Sequence, residues 1–223
     1  MRFDILIVGG GPAGTVTAMT ARKQYPDKTI AIIQKEMKQV VPCGIPYVFH
    51  KLDGVAANMM KRPDFNDEGD NLFIGSVRVI CRKEKYVELE DQTQIGYDKL
   101  VIATGSSPSV PGFLNFSSFK NGVACVSKSF SGLEKLKAQT DQAKKIIVLG
   151  SGFTAVETAE QLAKNSDKEV YLVFRSEHCL HRSFSPEIAI QVNRSLESSG
   201  VNLRPNSQIR EIMANGENAE GII

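Results

Sequence analysis

The sequence predicts an α/β protein of two domains with parallel sheets and small antiparallel β additions, and three observations carry that expectation. A pattern of buried strand, glycine-rich turn, helix and second buried strand occurs twice. A further buried strand closing on small residues lies between the copies. The 223 residues suffice for two hydrophobic cores, each domain running to about 100 residues.

In the first copy a strand from Phe3 to Val8 meets Gly9-Gly10-Gly11-Pro12-Ala13-Gly14 and passes into a helix reaching about Gln24. Ala13, Val16, Thr17, Thr20 and Ala21 are expected on its inward face. The next strand, Thr29 to Ile33, is a near-continuous apolar run, as a parallel strand covered on both faces requires, and it ends at Gln34-Lys35-Glu36. The second copy begins at Lys145. A strand from Ile146 to Leu149 meets Gly150-Ser151-Gly152-Phe153-Thr154-Ala155, followed by a helix with Ala155, Val156, Ala159, Leu162 and Ala163 inward. The strand Glu169 to Phe174 completes it.

Each glycine in this pattern has a physical task. The first makes the tight turn, the second lets backbone N–H groups approach a pyrophosphate, and the third position must be small so that helix and strand pack closely. Gly9, Gly11 and Gly14 fill these places, as do Gly150, Gly152 and Ala155. The phosphates then lie at the positive end of the helix, facing its unsatisfied N–H groups. One such turn is weak evidence of nucleotide binding, but two, each between a strand and a helix, predict two Rossmann-type domains.

Between the copies, Tyr97-Asp98-Lys99-Leu100-Val101-Ile102-Ala103-Thr104-Gly105 reads as a buried strand closing on a turn that can pass close to a cofactor. Strand-like Val77 to Ile80 and Tyr86 to Glu90 precede it. Pro108, Pro111 and Gly112 punctuate a crossover, so the domains are expected to be 1–112 and 113–223.

Composition removes several function classes. The net charge of +2 is spread over both halves, so neither nucleic acid nor a lipid surface is implied as a partner. The apolar run Ile5 to Val8, preceded by Asp4 and closed by glycines, is too short for a signal-peptide core or a membrane span. A soluble, cytoplasmic protein is expected. Cys43, Cys81, Cys125 and Cys179 stand singly, and His50, His178 and His181 complete no metal-ligand spacing, so no metal site is expected. Cys81, Cys125 and Cys179 read as small apolar residues.

The order G-x-G-x-x-G, then C-G-I-P-Y, then Y-D-K-L-V-I-A-T-G, then a second glycine turn with Ala155 and Glu157 resembles the pyridine nucleotide-disulfide oxidoreductase family over the whole chain. The resemblance implies FAD on Gly9, Gly11, Pro12, Ala13 and Gly14, with Gln34, Lys35, Val79 and the exit turn Ala103, Thr104 and Gly105. It implies a nicotinamide nucleotide on Gly150, Ser151, Gly152, Phe153 and Thr154, with Glu157 near the nicotinamide. Gln34 stands where the family has a Glu on the adenosine ribose; its amide oxygen accepts a hydroxyl hydrogen bond without the charge. The second domain's strand ends in Val173-Phe174-Arg175-Ser176 where an acidic residue would favour NAD(H). Arg175, with Arg182 and His181 beyond it, therefore favours NADP(H) over NAD(H).

Cys43, in Val41-Pro42-Cys43-Gly44-Ile45-Pro46-Tyr47, resembles the redox thiol of the single-cysteine branch, which includes coenzyme A-disulfide reductases, NADH oxidases and NADH peroxidases. At a helix start, with Gly44 and Pro46 shaping it, such a thiol would be a thiolate near neutrality. The lack of a second nearby cysteine implies a mixed disulfide with substrate, or a sulfenic acid formed with oxygen or peroxide. Thr15 and Arg22 match places that contact coenzyme A in that subfamily, whereas Met19, Gln39 and Pro42 depart from it; Arg22 also reads as a solvated helix-face charge. The resemblance thus implies disulfide or polysulfide reduction through Cys43, with two alternatives: oxidase or peroxidase chemistry, and reduction of a small electron-transfer protein with Cys43 structural. It further implies, after Ile223, a second FAD segment and a dimerisation domain making the whole protein a homodimer. The 223 residues alone are then expected to bind FAD weakly and to be inactive.

Overall fold

The computed structural model describes residues 1–61, 70–112, 122–165, 167–216 and 218–223. The expected start of the second domain at residue 113 lies outside them. By compactness the chain divides into two units, one comprising residues 1–41 and 59–107 and the other residues 42–58 and 108–223.

The first unit is built on a six-stranded sheet. Its strands are β1 (Arg2–Val8), β2 (Ile30–Gln34), β3 (Asp70–Ile74), β4 (Val77–Cys81), β5 (Tyr86–Leu89) and β6 (Gln94–Ile102), in the order β3-β2-β1-β6-β5-β4. β3, β2, β1 and β6 run parallel, with Ile5 opposite Ile30 and Lys99 in register across β1. β4 and β5 are antiparallel additions, and β5 pairs antiparallel with the start of β6. All five residues of β2 are buried, as the unbroken apolar run requires. Ile7, Ile30 and Ile32 pack with Ala18 and Ala21 of α1 (Pro12–Gln24), while Leu6, Val8, Ala31 and Ile33 pack with Val87, Leu89, Ile95 and Tyr97.

The inward face of α1 differs from expectation. Gly14, Ala18 and Ala21 are buried, whereas Ala13, Val16 and Thr20 are exposed. The buried positions are spaced i, i+4, i+7 and start from the third glycine of the turn.

The second unit carries a three-stranded parallel sheet, β7 (Lys145–Leu149), β8 (Glu169–Val173) and β9 (Val201–Arg204), in that order. Its helices are α2 (Phe130–Gln142), α3 (Phe153–Ala163) and α4 (Pro186–Ser198), and β10 (Ile212–Asn215) pairs antiparallel with β11 (Asn218–Ile222). On α3, Val156, Ala159 and Leu162 are buried as expected, and Ala155 and Ala163 half-buried. β10 begins only at Ile212; before it, the Arg210 N–H donates to the Ile223 carbonyl at 2.7 Å. Residues 42–58 form three short 3-10 turns that pack on α2 and α3. No helix among the described residues is long and apolar enough to cross a membrane.

Candidate nucleotide sites and the Cys43 turn

The two glycine turns have the same backbone course. Gly9 has φ of +117° and Gly150 +124°, a region that side chains rarely adopt. Gly11 and Gly152 are the N-caps of α1 and α3, both extended, with φ of −73° and −82°. Each turn is pinned to the second strand of its unit: the Gly9 N–H donates to Ile33 O at 2.8 Å, and the Gly150 N–H to Val173 O at 3.0 Å. The repeat seen in the sequence is a repeat of geometry.

What surrounds each glycine separates packing from ligand binding. A Cβ on Gly14 would lie 1.8 Å from Gly9 O, and one on Gly9 would lie 2.1 Å from Ala103 O. The chain's own packing excludes larger residues at both. A Cβ on Gly11 or Gly152 would meet no atom within 4 Å. Nothing in the protein requires glycine there, and neither cap has a side-chain hydrogen bond or an acidic residue in the first helical turn. Open space before the uncovered N–H groups of an 11- or 13-residue helix fits a pyrophosphate.

In the first unit the structure brings together most of the expected flavin contacts. The Ala103 N–H donates to Val8 O at 2.8 Å, and Ala103 O and Thr104 N lie against Gly9, with Gly105 following at φ of +73°. Gln34, 6% exposed, donates through Nε2 to the Glu36 carbonyl at 2.7 Å and turns Oε1 toward Gly10, where a Cβ would sit 1.9 Å from it. The same amide thus holds the turn after β2 and points an acceptor at the glycine loop. Pro12, at the start of α1, and Lys35 are exposed, as is Val79 on the edge strand β4. Thr15 Oγ1 donates to Gly10 O at 3.2 Å, and Arg22 Nη1 donates to the carbonyls of Pro26 and Lys28. Both side chains stabilise the chain around α1.

In the second unit Ser151 is the fixed point. Its carbonyl accepts the Leu180 N–H at 2.8 Å, and its Oγ accepts from Ser176 Oγ at 3.3 Å. The loop after β8 therefore folds back over the glycine turn. Arg175, His181 and Arg182 are exposed on this loop, while on α3 Thr154 is exposed and Glu157 half-buried. Phe153 meets Phe184 edge to face at 6.0 Å. Sequence reasoning missed Ser176, Leu180 and Phe184. Leu180 has φ of +56° without being glycine or asparagine, so no residue type announces that turn.

Cys43 is exposed and belongs to the second compact unit. The expected helix start is corrected here: Cys43 occupies a three-residue 3-10 turn, Pro42–Gly44, followed by a second short turn, Pro46–Phe49. Pro46, lacking an N–H, opens the second turn instead of extending the first. A helix-terminal field is therefore unavailable to Cys43. Gly44 is closely packed, since a Cβ there would lie 1.9 Å from Asn58 Oδ1 and the Asn58 side chain would have to shift. Burial pushes the Cys179 thiol up to about 11 and raises that of Cys125 above its ordinary value, so neither is a thiolate near neutrality. Among the described residues no group of three His, Cys, Asp or Glu side chains could hold a metal ion.

The sequence profile of the family pyridine nucleotide-disulphide oxidoreductase matches residues 3–222. The chain belongs to that family. It is 28% identical over 216 residues to an NAD(P)H coenzyme A polysulfide/persulfide reductase of Pyrococcus horikoshii, covering 92% of this chain and 46% of that protein. It is 30% identical over 222 residues to an NADH oxidase of Methanocaldococcus jannaschii, covering 93% and 48%. An engineered water-forming NADPH oxidase bound to NADPH, a mutant of the Lactobacillus brevis NADH oxidase, is 25% identical with a TM-score of 0.79, covering 96% of this chain and 49% of the other. The chain spans about half the length of the curated relatives it matches.

Proposed function

We propose that the protein containing this chain is an FAD-dependent NAD(P)H oxidoreductase that reduces small disulfides, such as coenzyme A disulfide or a polysulfide, through Cys43. The repeated turn carries this reading: two helix N-termini, each fronted by a glycine with open space before it. Residues 1–112 supply the first FAD segment, with Gly9, Gly11 and Gly14 at the pyrophosphate and Gln34 Oε1 at the ribose. Residues 113–223 supply the nicotinamide-nucleotide domain. Arg175 and Arg182 take the 2′-phosphate of NADP(H) by charge-assisted hydrogen bonds. The engineered NADPH oxidase supports this preference, since its substitutions include an arginine followed directly by a serine, the pair found here as Arg175-Ser176. Thr15 and Arg22 remain candidates for substrate contact, although Arg22 Nη1 is engaged by two carbonyls.

Bound FAD would supply the relay of two electrons from the nicotinamide to sulfur. The exposed Cys43 thiolate attacks one sulfur of the disulfide, forming a mixed disulfide and releasing the first thiol after protonation. Two electrons from NADPH then cleave the mixed disulfide, restore the Cys43 thiolate and release the second thiol with a proton from solvent. The Pyrococcus horikoshii relative supports this substrate class. The Methanocaldococcus jannaschii relative supports a second reading, in which peroxide oxidises the Cys43 thiolate to a sulfenate and releases water, and two electrons from the nicotinamide with two protons restore the thiolate and release a second water. A cytoplasmic homodimer completes the proposal.

Replacing Cys43 by Ser should keep bound flavin and its reduction by NADPH while lowering disulfide turnover at least about a hundredfold. Disulfide reduction at the wild-type rate would sink the thiol reading. Loss of oxygen or peroxide reduction alone would support the second reading.

A further inference from the structure

Residues 42–58, which carry Cys43, contain no helix longer than four residues. Their turns rest on a few i to i+3 hydrogen bonds, Ile45 N–H to Pro42 O and Val48 N–H to Ile45 O, each 3.3 Å, and His50 N–H to Tyr47 O at 3.4 Å, with the Leu52 N–H donating to Tyr47 O at 2.8 Å. Such a segment takes its position from what it packs on. Ile45, Val48 and Phe49 are buried, and the turn Pro46–Phe49 lies on α3.

One side chain ties this turn to the helix. Asn165 follows the C-cap of α3, Lys164. Its Nδ2 donates to Phe49 O at 3.2 Å and to Leu162 O at 3.3 Å. Its Oδ1 lies 3.3 Å from His50 Nδ1. Because the amide nitrogen is used as donor, the oxygen is the acceptor and His50 carries its proton on Nδ1. The other end of α3 is Gly152, the open cap of the second glycine turn. Eleven residues place the two ends about 16 Å apart along one rigid element. Between them, Thr158 Oγ1 and Gln161 Oε1 are buried with no hydrogen-bond partner, on the helix side that leads to Asn165.

We infer that Asn165 is a positioning residue through which nucleotide binding at the N-terminus of α3 sets the reactivity of Cys43. This rests on reading Gly150–Ala155 as the nicotinamide-nucleotide turn and Cys43 as the redox thiol. The clamp makes the short turns after Cys43 follow α3, so the thiol is presented differently when the nucleotide is bound.

The test is the rate at which iodoacetamide alkylates Cys43 in the oxidised, FAD-loaded full-length protein, followed by peptide mass spectrometry with and without saturating NADP⁺. NADP⁺ should change the wild-type rate at least about fivefold. Asn165→Ala and the isosteric Asn165→Asp, which loses the donor to Phe49 O, should reduce that effect below about twofold while NADP⁺ affinity and melting temperature stay near wild type. His50→Ala, at an exposed site, should give an intermediate effect and serves where the Asn165 variants fail to fold. Direct shielding of the thiol by the nucleotide would persist in every variant, and that result overturns the inference, as does a wild-type rate indifferent to NADP⁺. Disulfide turnover by Cys43→Ser would instead defeat the thiol reading, leaving the alkylation result to stand on its own.

Discussion

At the scale of single residues, the glycine turns divide into positions that the chain's own packing needs and positions where it leaves open space. Gly14 faces Gly9 O, so Gly14→Ala should cost about 1–3 kcal/mol, read as a lower urea midpoint. Gly11 has an ordinary extended conformation and open space before it, so Gly11→Ala should cost no more than the loss of a glycine cap, about 1 kcal/mol. Its loss should appear in flavin occupancy after purification, and equal occupancy in both proteins would contradict the assignment of Gly11 to the pyrophosphate. Arg175 is exposed at the end of β8, and replacing it with Ala should lower kcat/KM for NADPH about tenfold while leaving NADH within about twofold. Equal losses for the two nucleotides would remove Arg175 from 2′-phosphate recognition. Gly9 and Gly14 were legible in the sequence because close backbone packing demands glycine at both. Leu180 was not, since its positive φ is imposed by the Ser151 carbonyl and by the bonds its own carbonyl accepts from Ser183 and Phe184. Asn165 was equally silent, because its partners Phe49 and His50 lie more than a hundred positions away.

At the scale of elements, the register of β1 against β2 is fixed by a carboxylate. Asp4 accepts from Lys28 Nζ at 2.8 Å through Oδ1, and from the Thr29 N–H at 2.9 Å and Thr29 Oγ1 at 2.8 Å through Oδ2. The Lys28 ammonium first, then the Thr29 backbone and hydroxyl donors, lower its pKa from 3.8 to about 2. A depressed native pKa means that the unfolded state binds the proton more readily, so the contribution is fully present above the unfolded value and is lost as pH falls through the native one. Stability should therefore decline between pH 4 and pH 2 in part through Asp4. Asp4→Asn should flatten that part of the curve in urea melts, and an unchanged acid limb would refute the assignment. The strands around both glycine turns were legible because buried parallel strands read as unbroken apolar runs. The inward face of α1 was misread because Gly14 counts as a turn residue in the sequence yet begins the buried stripe in the fold. α2 gave no signal: Phe130 and Leu133 are its only buried residues, too few to mark a periodic face. The helix expected after Cys43 gave way to 3-10 turns because prolines at positions 42 and 46 each open a new turn.

At the scale of the molecule, one nucleotide-binding plan is used twice, and each copy sits in its own compact unit. Residues 42–58, contiguous in sequence with the first copy, belong to the second unit, a placement that spacing along the chain did not foretell. The reason is physical: with no long helix of its own, the segment is held by α2 and α3. The proposed function assigns one glycine turn to flavin, the other to the nicotinamide nucleotide and Cys43 to thiol chemistry, in a family member whose relatives are about twice as long. The most direct test of that union is anaerobic titration of the full-length protein with NADPH, followed by absorbance. The expected result is bleaching of a flavin band together with a new long-wavelength thiolate-to-flavin band that Cys43→Ser lacks. A purified protein that carries no flavin, or whose flavin NADPH leaves oxidised, would contradict the central claim.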